Sequence, residues 1–209
     1  MEQINMQLDH RATAFSQIIS TTICTNHHHE VMPLEASMQQ VMAQLEQIRS
    51  QKRRLYIVGN GGSAAVASHA QVDFVNVAQI CAQVLHEPSL VTCMANDFGY
   101  EQAFARVLTQ FIHAGDMLIA ISSSGKSQNI CHAAIAAKEQ GAQVLTFTGF
   151  NAANPLRCLG DINFWLDSSD YGYVEVGHQF ILHNLSDRFG VERQASLLKE
   201  VSTDVPAYV

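Results

Sequence analysis

Three groups of residues in this 209-residue chain have types and spacings that can do chemistry. His69 and Asp73 stand four apart in an alanine-rich stretch without Gly or Pro, so a helix would carry both on one face. Glu175, His178 and His183 recur along a second helical stretch near the other end. Imidazoles and carboxylates move protons near neutral pH, and the same groups ligate zinc. The third group consists of small residues in two loops, GNGGS at 59–63 and SSSGKS at 122–127. Glycine there lets backbone approach a ligand closely. Free N–H groups opening the next helix, together with serine hydroxyls, favour an anion, and phosphate above others. Neither loop has G-x-G-x-x-G spacing, and GNGGSA is not followed by the Gly-Lys-Ser/Thr of a P-loop.

Spacing limits how the helical groups combine. Glu175 and His183 are eight residues apart, about 12 Å of helix rise, so both reach one metal only with nearly extended side chains. Glu175 with His178 is the easier local pair. Ser127 reads equally as a phosphate ligand and as the N-cap of the helix that follows. His27, His28 and His29 are consecutive and cannot converge on one metal from a regular element, so they read as a solvated turn between helices.

These residues need a scaffold, and the hydrophobic pattern supplies one. Ile4, Leu8, Ala12, Phe15, Ile18 and Ile19, then Val41, Leu45 and Ile48, recur at helical spacing on either side of a polar break at 25–30. Two helices are therefore expected over 1–51, with no strand. From residue 54 short apolar runs alternate with helices: strands over 55–58, 82–85, 116–122, 143–148 and 161–166, and helices after 64 and over 88–95, 101–112, 128–140 and 174–189. The expected fold is α/β, a three-layer sandwich around a doubly wound, flavodoxin-like parallel sheet of five strands, which binds ligands beyond the carboxyl ends of its strands. It forms a single domain over 1–209, with a helical extension over 1–51, the sheet core over 54–190 and a polar tail from 191.

Composition excludes several classes of function. The formal charge of −7 leaves no basic surface for nucleic acid or anionic membranes. No apolar run approaches the roughly 20 residues that span a bilayer, and no signal-peptide pattern opens the chain. The five cysteines are odd in number and lack C-x-x-C spacing, so they read as small buried hydrophobes in a reducing cytoplasm. A charged fraction of only 15% points to an oligomer.

GNGGSA followed by a helix with a histidine, NDFGY at 96–100, ISSSGKS, and a last helix with two histidines together resemble the SIS (sugar isomerase) domain, and within it the phosphoheptose isomerase group. The resemblance covers about 54–189. It implies a homotetramer with active sites between subunits, often with bound zinc. It also implies a sugar-phosphate ligand held by Ser122, Ser123, Ser124 and Ser127, near Asn60, Gly61, Gly62 and Ser63 of the first loop. By the same resemblance Asp97 and Glu175 belong to the substrate site. His69, Asp73, Glu175 and His183 form the metal and acid–base set, with Asp73 as base and His183 as acid. The implied reaction interconverts an aldose and a ketose phosphate through an enediol, with sedoheptulose 7-phosphate as the leading substrate. The alternative is a non-catalytic SIS protein that binds a sugar phosphate or a protein, like the replication-initiator-associating member. Four positions depart from the group's pattern: Asp73 where glutamate is common, Glu175 for glutamine, Val77 for arginine and Gly172 for aspartate.

Overall fold

The computed structural model describes residues 6–203. Its centre is a run that had to be a strand: Met117–Ser122 (MLIAIS) is buried at all six positions, as a strand covered on both faces requires. In chain order the elements are α1 (Leu8–Ser20), β1 (Ile23–Asn26), β2 (Val31–Met32), α2 (Leu34–Ser50), β3 (Arg54–Val58), α3 (Gly62–Asn76), β4 (Cys81–Val84), α4 (Pro88–Phe98), α5 (Ala103–Phe111), β5 (Met117–Ser122), α6 (Gln128–Glu139), β6 (Gln143–Thr148), β7 (Ile162–Trp165) and α7 (Tyr171–Thr203). The sheet order is β2-β1-β7-β6-β5-β3-β4.

The strands β3 to β7 are parallel throughout. Renumbered among themselves they run 2-1-3-4-5, the flavodoxin-like order, whose direction reverses between β3 and β5. Side chains alternate across this sheet. Leu55 and Ile57 of β3 face one layer with Val66, Ala70 and Phe74 of α3 and Leu182, Leu185 and Phe189 of α7. Tyr56 and Val58 face the other with Phe104 and Leu108 of α5 and Ile130, Ala133 and Ala137 of α6. The consequence for function is positional: the loops that follow β3 and β5 open side by side at the switch point.

Four expectations are corrected. The stretch over 23–32 is a β-hairpin, not a bare connection between helices: β1 pairs antiparallel with β2 and with β7 (Cys24 opposite Phe164), which extends the sheet to seven strands. Its turn is closed by Asn26, whose Oδ1 accepts from His28 N (2.9 Å) and Glu30 N (3.0 Å), with His29 in the left-handed region at φ 62°. Only Cys24 and Thr25 of β1 are buried, too short an apolar signal to register as alternation. The polar tail from 191 is instead helical through Thr203, because VERQASLLKEVST contains no Gly or Pro to stop it. The helix also starts earlier than 174: Asp170 accepts from Tyr173 N (3.2 Å), so Gly172 sits inside a capped first turn. Of the cysteines only Cys24 is buried; Cys81, Cys93 and Cys158 are exposed, and none is in a disulfide. Ile4 lies outside the described residues.

Candidate active site

The first loop leaves β3 at Val58 and turns at Gly61, whose φ of 54° suits glycine, before α3 begins at Gly62. The second leaves β5 at Ser122. There Gly125 N donates to Ser122 Oγ (3.2 Å) and to the Ser122 carbonyl (3.0 Å), and Lys126 N donates to Ser124 Oγ (3.3 Å). Ser127 is not a side-chain cap. Its carbonyl accepts from Ile130 N and Cys131 N, while its hydroxyl is left 3.3 Å from Ser122 Oγ and available to a ligand. Ser123 is 4% exposed, and its hydroxyl has no partner among the described residues.

The two loops are tied together through Asn60. Its amide exchanges two hydrogen bonds with the amide of Asn129 on α6, both 2.9 Å, and its Oδ1 also accepts from Tyr100 Oη at 2.8 Å. Between them lies a cavity of about 230 Å³ into which the N-termini of α3 and α6 open. All eight predicted loop residues line it: Asn60, Gly61, Gly62 and Ser63 from the first loop, Ser122, Ser123, Ser124 and Ser127 from the second. Ile121, Tyr171 and Glu175 complete the wall. Lys126 is exposed and does not contribute. An anion here would meet hydroxyls and helix N-termini rather than a side-chain cation. A larger cavity of about 690 Å³ between α2 and α7, lined by Met42, Ala43, Phe189 and Arg188 among others, contains neither loop.

A second constellation sits where α3 packs on α7. Asp73 Oδ2 lies 2.7 Å from His183 Nδ1 and 3.3 Å from His69 Nε2, and the two imidazole rings meet edge-on at 5.6 Å. One ligand atom from each of the three residues falls within 4.8 Å of the others. The Asp73 side chain is 13% exposed, and both imidazoles are about half exposed. The hydrogen bond to Asp73 raises the pKa of His183 above the usual imidazole value, with desolvation opposing it. Asp187, one turn along, lies 3.9 Å from His183 Nε2.

Glu175 does not join this group; its carboxylate lies over the start of α3, where a Cβ on Gly62 would collide with it. His178 is fully buried and donates from Nε2 to the Thr148 carbonyl (3.1 Å), and burial pushes its pKa down to about 4. The local Glu175–His178 pair is therefore not a ligand set. Asp97 is on exposed α4, held by Asn96 Nδ2 (2.9 Å), and lines neither cavity at the loops. Sequence reasoning missed Asn129 and Tyr100, the anchors of Asn60. Tyr100 lay within NDFGY, but nothing in its spacing marked it as a partner of the first loop.

The family model for the SIS domain matches residues 24–149. The chain belongs to the SIS-domain family. Phosphoheptose isomerase of Pelobacter propionicus is 29% identical over 193 residues, covering 90% of this chain and 95% of that protein. Phosphoheptose isomerase of Mycobacterium bovis (strain BCG / Pasteur 1173P2) is 34% identical over 140 residues, 64% of this chain and 71% of that protein. Among solved structures, phosphoheptose isomerase GmhA from Neisseria gonorrhoeae superposes with a TM-score of 0.73 at 24% identity, covering 88% of this chain and 98% of that one. This last likeness speaks to the fold. No helix of the described residues is long and apolar enough to cross a membrane.

Proposed function

We propose that this chain is a phosphosugar isomerase that interconverts a ketose and an aldose phosphate, with sedoheptulose 7-phosphate as the first substrate to test. The observation that carries the reading is the cluster of Asp73, His69 and His183, assembled from two helices, in a chain that also has a hydroxyl-lined anion cavity. A protein that only bound sugar phosphates would need the cavity and not the cluster. The names of the relatives point the same way.

In this reading the phosphate is held by Ser122, Ser123, Ser124 and Ser127 and by the N–H groups opening α3 and α6. Asp73 takes a proton from C1 of the ketose and returns it to C2, so that no atom is lost and an enediol lies between the two sugars. Where no metal is bound, His183, with its raised pKa, holds a proton at Nδ1 beside Asp73 and exchanges protons with the two sugar oxygens. The donor set of two imidazoles and a carboxylate, with its ligand atoms mutually within 4.8 Å, fits zinc. When bound, zinc would polarise the sugar oxygens as a Lewis acid.

Reach supports a site shared between copies. Asp73 is ten residues beyond Ser63, about 15 Å along α3. From C2 to phosphorus a seven-carbon ester spans seven bonds, about 8 Å at the pitch of an extended chain. The loop of one copy would then work with the triad of another, in a homotetramer. Unpaired exposed thiols accord with a reducing cytoplasm. The test is an isomerase assay over five- to seven-carbon ketose phosphates: turnover of at least one, lost on Asp73→Asn, is expected. Tight binding without turnover of any would favour a sugar-phosphate-binding regulator.

A further inference from the structure

The cavity between the two loops contains one formally charged side chain, and its sign is opposite to the one an anion site would ordinarily choose. Glu175 lines the cavity with the serines; no Lys, Arg or His does. Its carboxylate occupies the space over Gly62, against the first residue of α3, where only glycine leaves room for it. That helix has no side-chain cap of its own. A carboxylate at a helix N-terminus is favourably placed, but here it takes part of the position a phosphate would use. Glu175 makes no hydrogen bond or ion pair with the described residues, so apart from the start of α3 nothing offsets its charge. Meanwhile Ser123, 4% exposed, lines the same cavity, and its buried hydroxyl has no partner among the described residues. The wall thus offers an unsatisfied donor for an anion and a carboxylate that repels one.

We propose that Glu175 is the specificity-determining residue of this cavity: it penalises bare dianions and admits phosphate only on a ligand whose neighbouring hydroxyls hydrogen-bond to the carboxylate. The reading rests on the serine-loop phosphate site proposed above and adds the selection rule. Two like charges a few ångströms apart in a partly buried site repel strongly. A sugar phosphate offsets that repulsion with hydroxyl donors to a charged acceptor, the strong class of hydrogen bond. Sulfate has none to give, and inorganic phosphate offers only the P–OH of the charged group itself. The consequence is a site kept clear of the abundant free anion and open to the polyol ester.

The experiment is calorimetric titration at constant ionic strength and neutral pH of the full chain with sulfate, whose charge is fixed, and with glucitol 6-phosphate, a polyol ester that cannot isomerise. Glu175→Gln, which keeps the shape, should bind sulfate about ten-fold or more tightly than the wild type. Its affinity for glucitol 6-phosphate should rise less or fall, so the ratio between the two ligands narrows. Glu175→Asp, which keeps the charge, should bind sulfate as weakly as the wild type and serves as the control for shape. Unchanged sulfate affinity in Glu175→Gln, or an equal gain for both ligands, overturns the proposal. Adding Ser124→Ala and Ser127→Ala to Glu175→Gln separates the two ideas. If sulfate affinity then falls, the serine loop is the anion site and Glu175 alone is on trial; if it does not, the phosphate reading of the cavity fails and the selection rule with it.

Discussion

Ser123→Ala should make the empty protein no less stable while weakening its ligand, an opposition that follows from one unpartnered atom. The hydroxyl belongs to a residue that is 4% exposed and lines the loop cavity, and it meets no acceptor or donor among the described residues. Mutational data put the burial of an unbonded hydroxyl at about 1–3 kcal/mol unfavourable. Replacing it with a methyl group removes that penalty at the small cost of one lost polar contact with any solvent that enters, so unfolding free energy in urea should hold level or rise by up to about 1 kcal/mol. With a phosphate bound the account reverses: a hydrogen bond to a charged acceptor is worth about 1.5–3 kcal/mol. At about 1.4 kcal/mol per decade that is roughly a 10- to 140-fold rise in Kd. Urea unfolding of the free protein and calorimetric titration with glucitol 6-phosphate measure the two halves separately. A loss of more than about 1 kcal/mol in the free protein would show that the hydroxyl has a structural partner. An unchanged Kd would show that it faces no phosphate. Either result refutes the reasoning.

Zinc measured by mass spectrometry should be stoichiometric in the wild type and lost in both His69→Ala and His183→Ala. His178→Gln should retain it, since His178 is buried against Thr148. The same His178→Gln variant should be less acid-labile. The native pKa of about 4 lies below the ordinary 6.5 of the unfolded chain, so from about pH 6.5 downward the unfolded state takes a proton that the native state refuses. Stability is then lost until about pH 4, by about 3 kcal/mol in total, and the wild type should fall behind the variant by that amount between pH 7 and pH 4 in denaturant titrations. Light scattering at micromolar concentration should give four chains per particle; a stable monomer would contradict the shared site.

The parallel core was legible because its strands are written in single apolar runs: DMLIAIS and QVLTFT admit few other readings, and both land within a residue of β5 and β6. The hairpin over 23–32 was not, since β1 rests on two buried residues and on its pairing with β7, where Cys24 faces Phe164 from about 140 residues away, which no local pattern reveals. The loops were legible because glycine and serine at strand ends leave few alternatives. The triad was half legible: His69 and Asp73 share a helix face by arithmetic, but His183 arrives only through the packing of α7 on α3. The same packing sent Glu175 to Gly62 and buried His178, an outcome that hangs on helix phase rather than residue type. Asn129 and Tyr100 escaped notice because polar residues that position other polar residues carry no periodic signature.

Proton transfer at the sugar tests the central claim most directly. With sedoheptulose 7-phosphate and related ketose phosphates incubated in D₂O, the account predicts that the enzyme washes deuterium from solvent into C1 of the ketose and C2 of the aldose, and that Asp73→Asn abolishes the exchange while still binding the sugar phosphate. An enzyme that binds these ligands yet leaves C1 and C2 fully protonated, or an Asp73→Asn variant that exchanges at the wild-type rate, would contradict it.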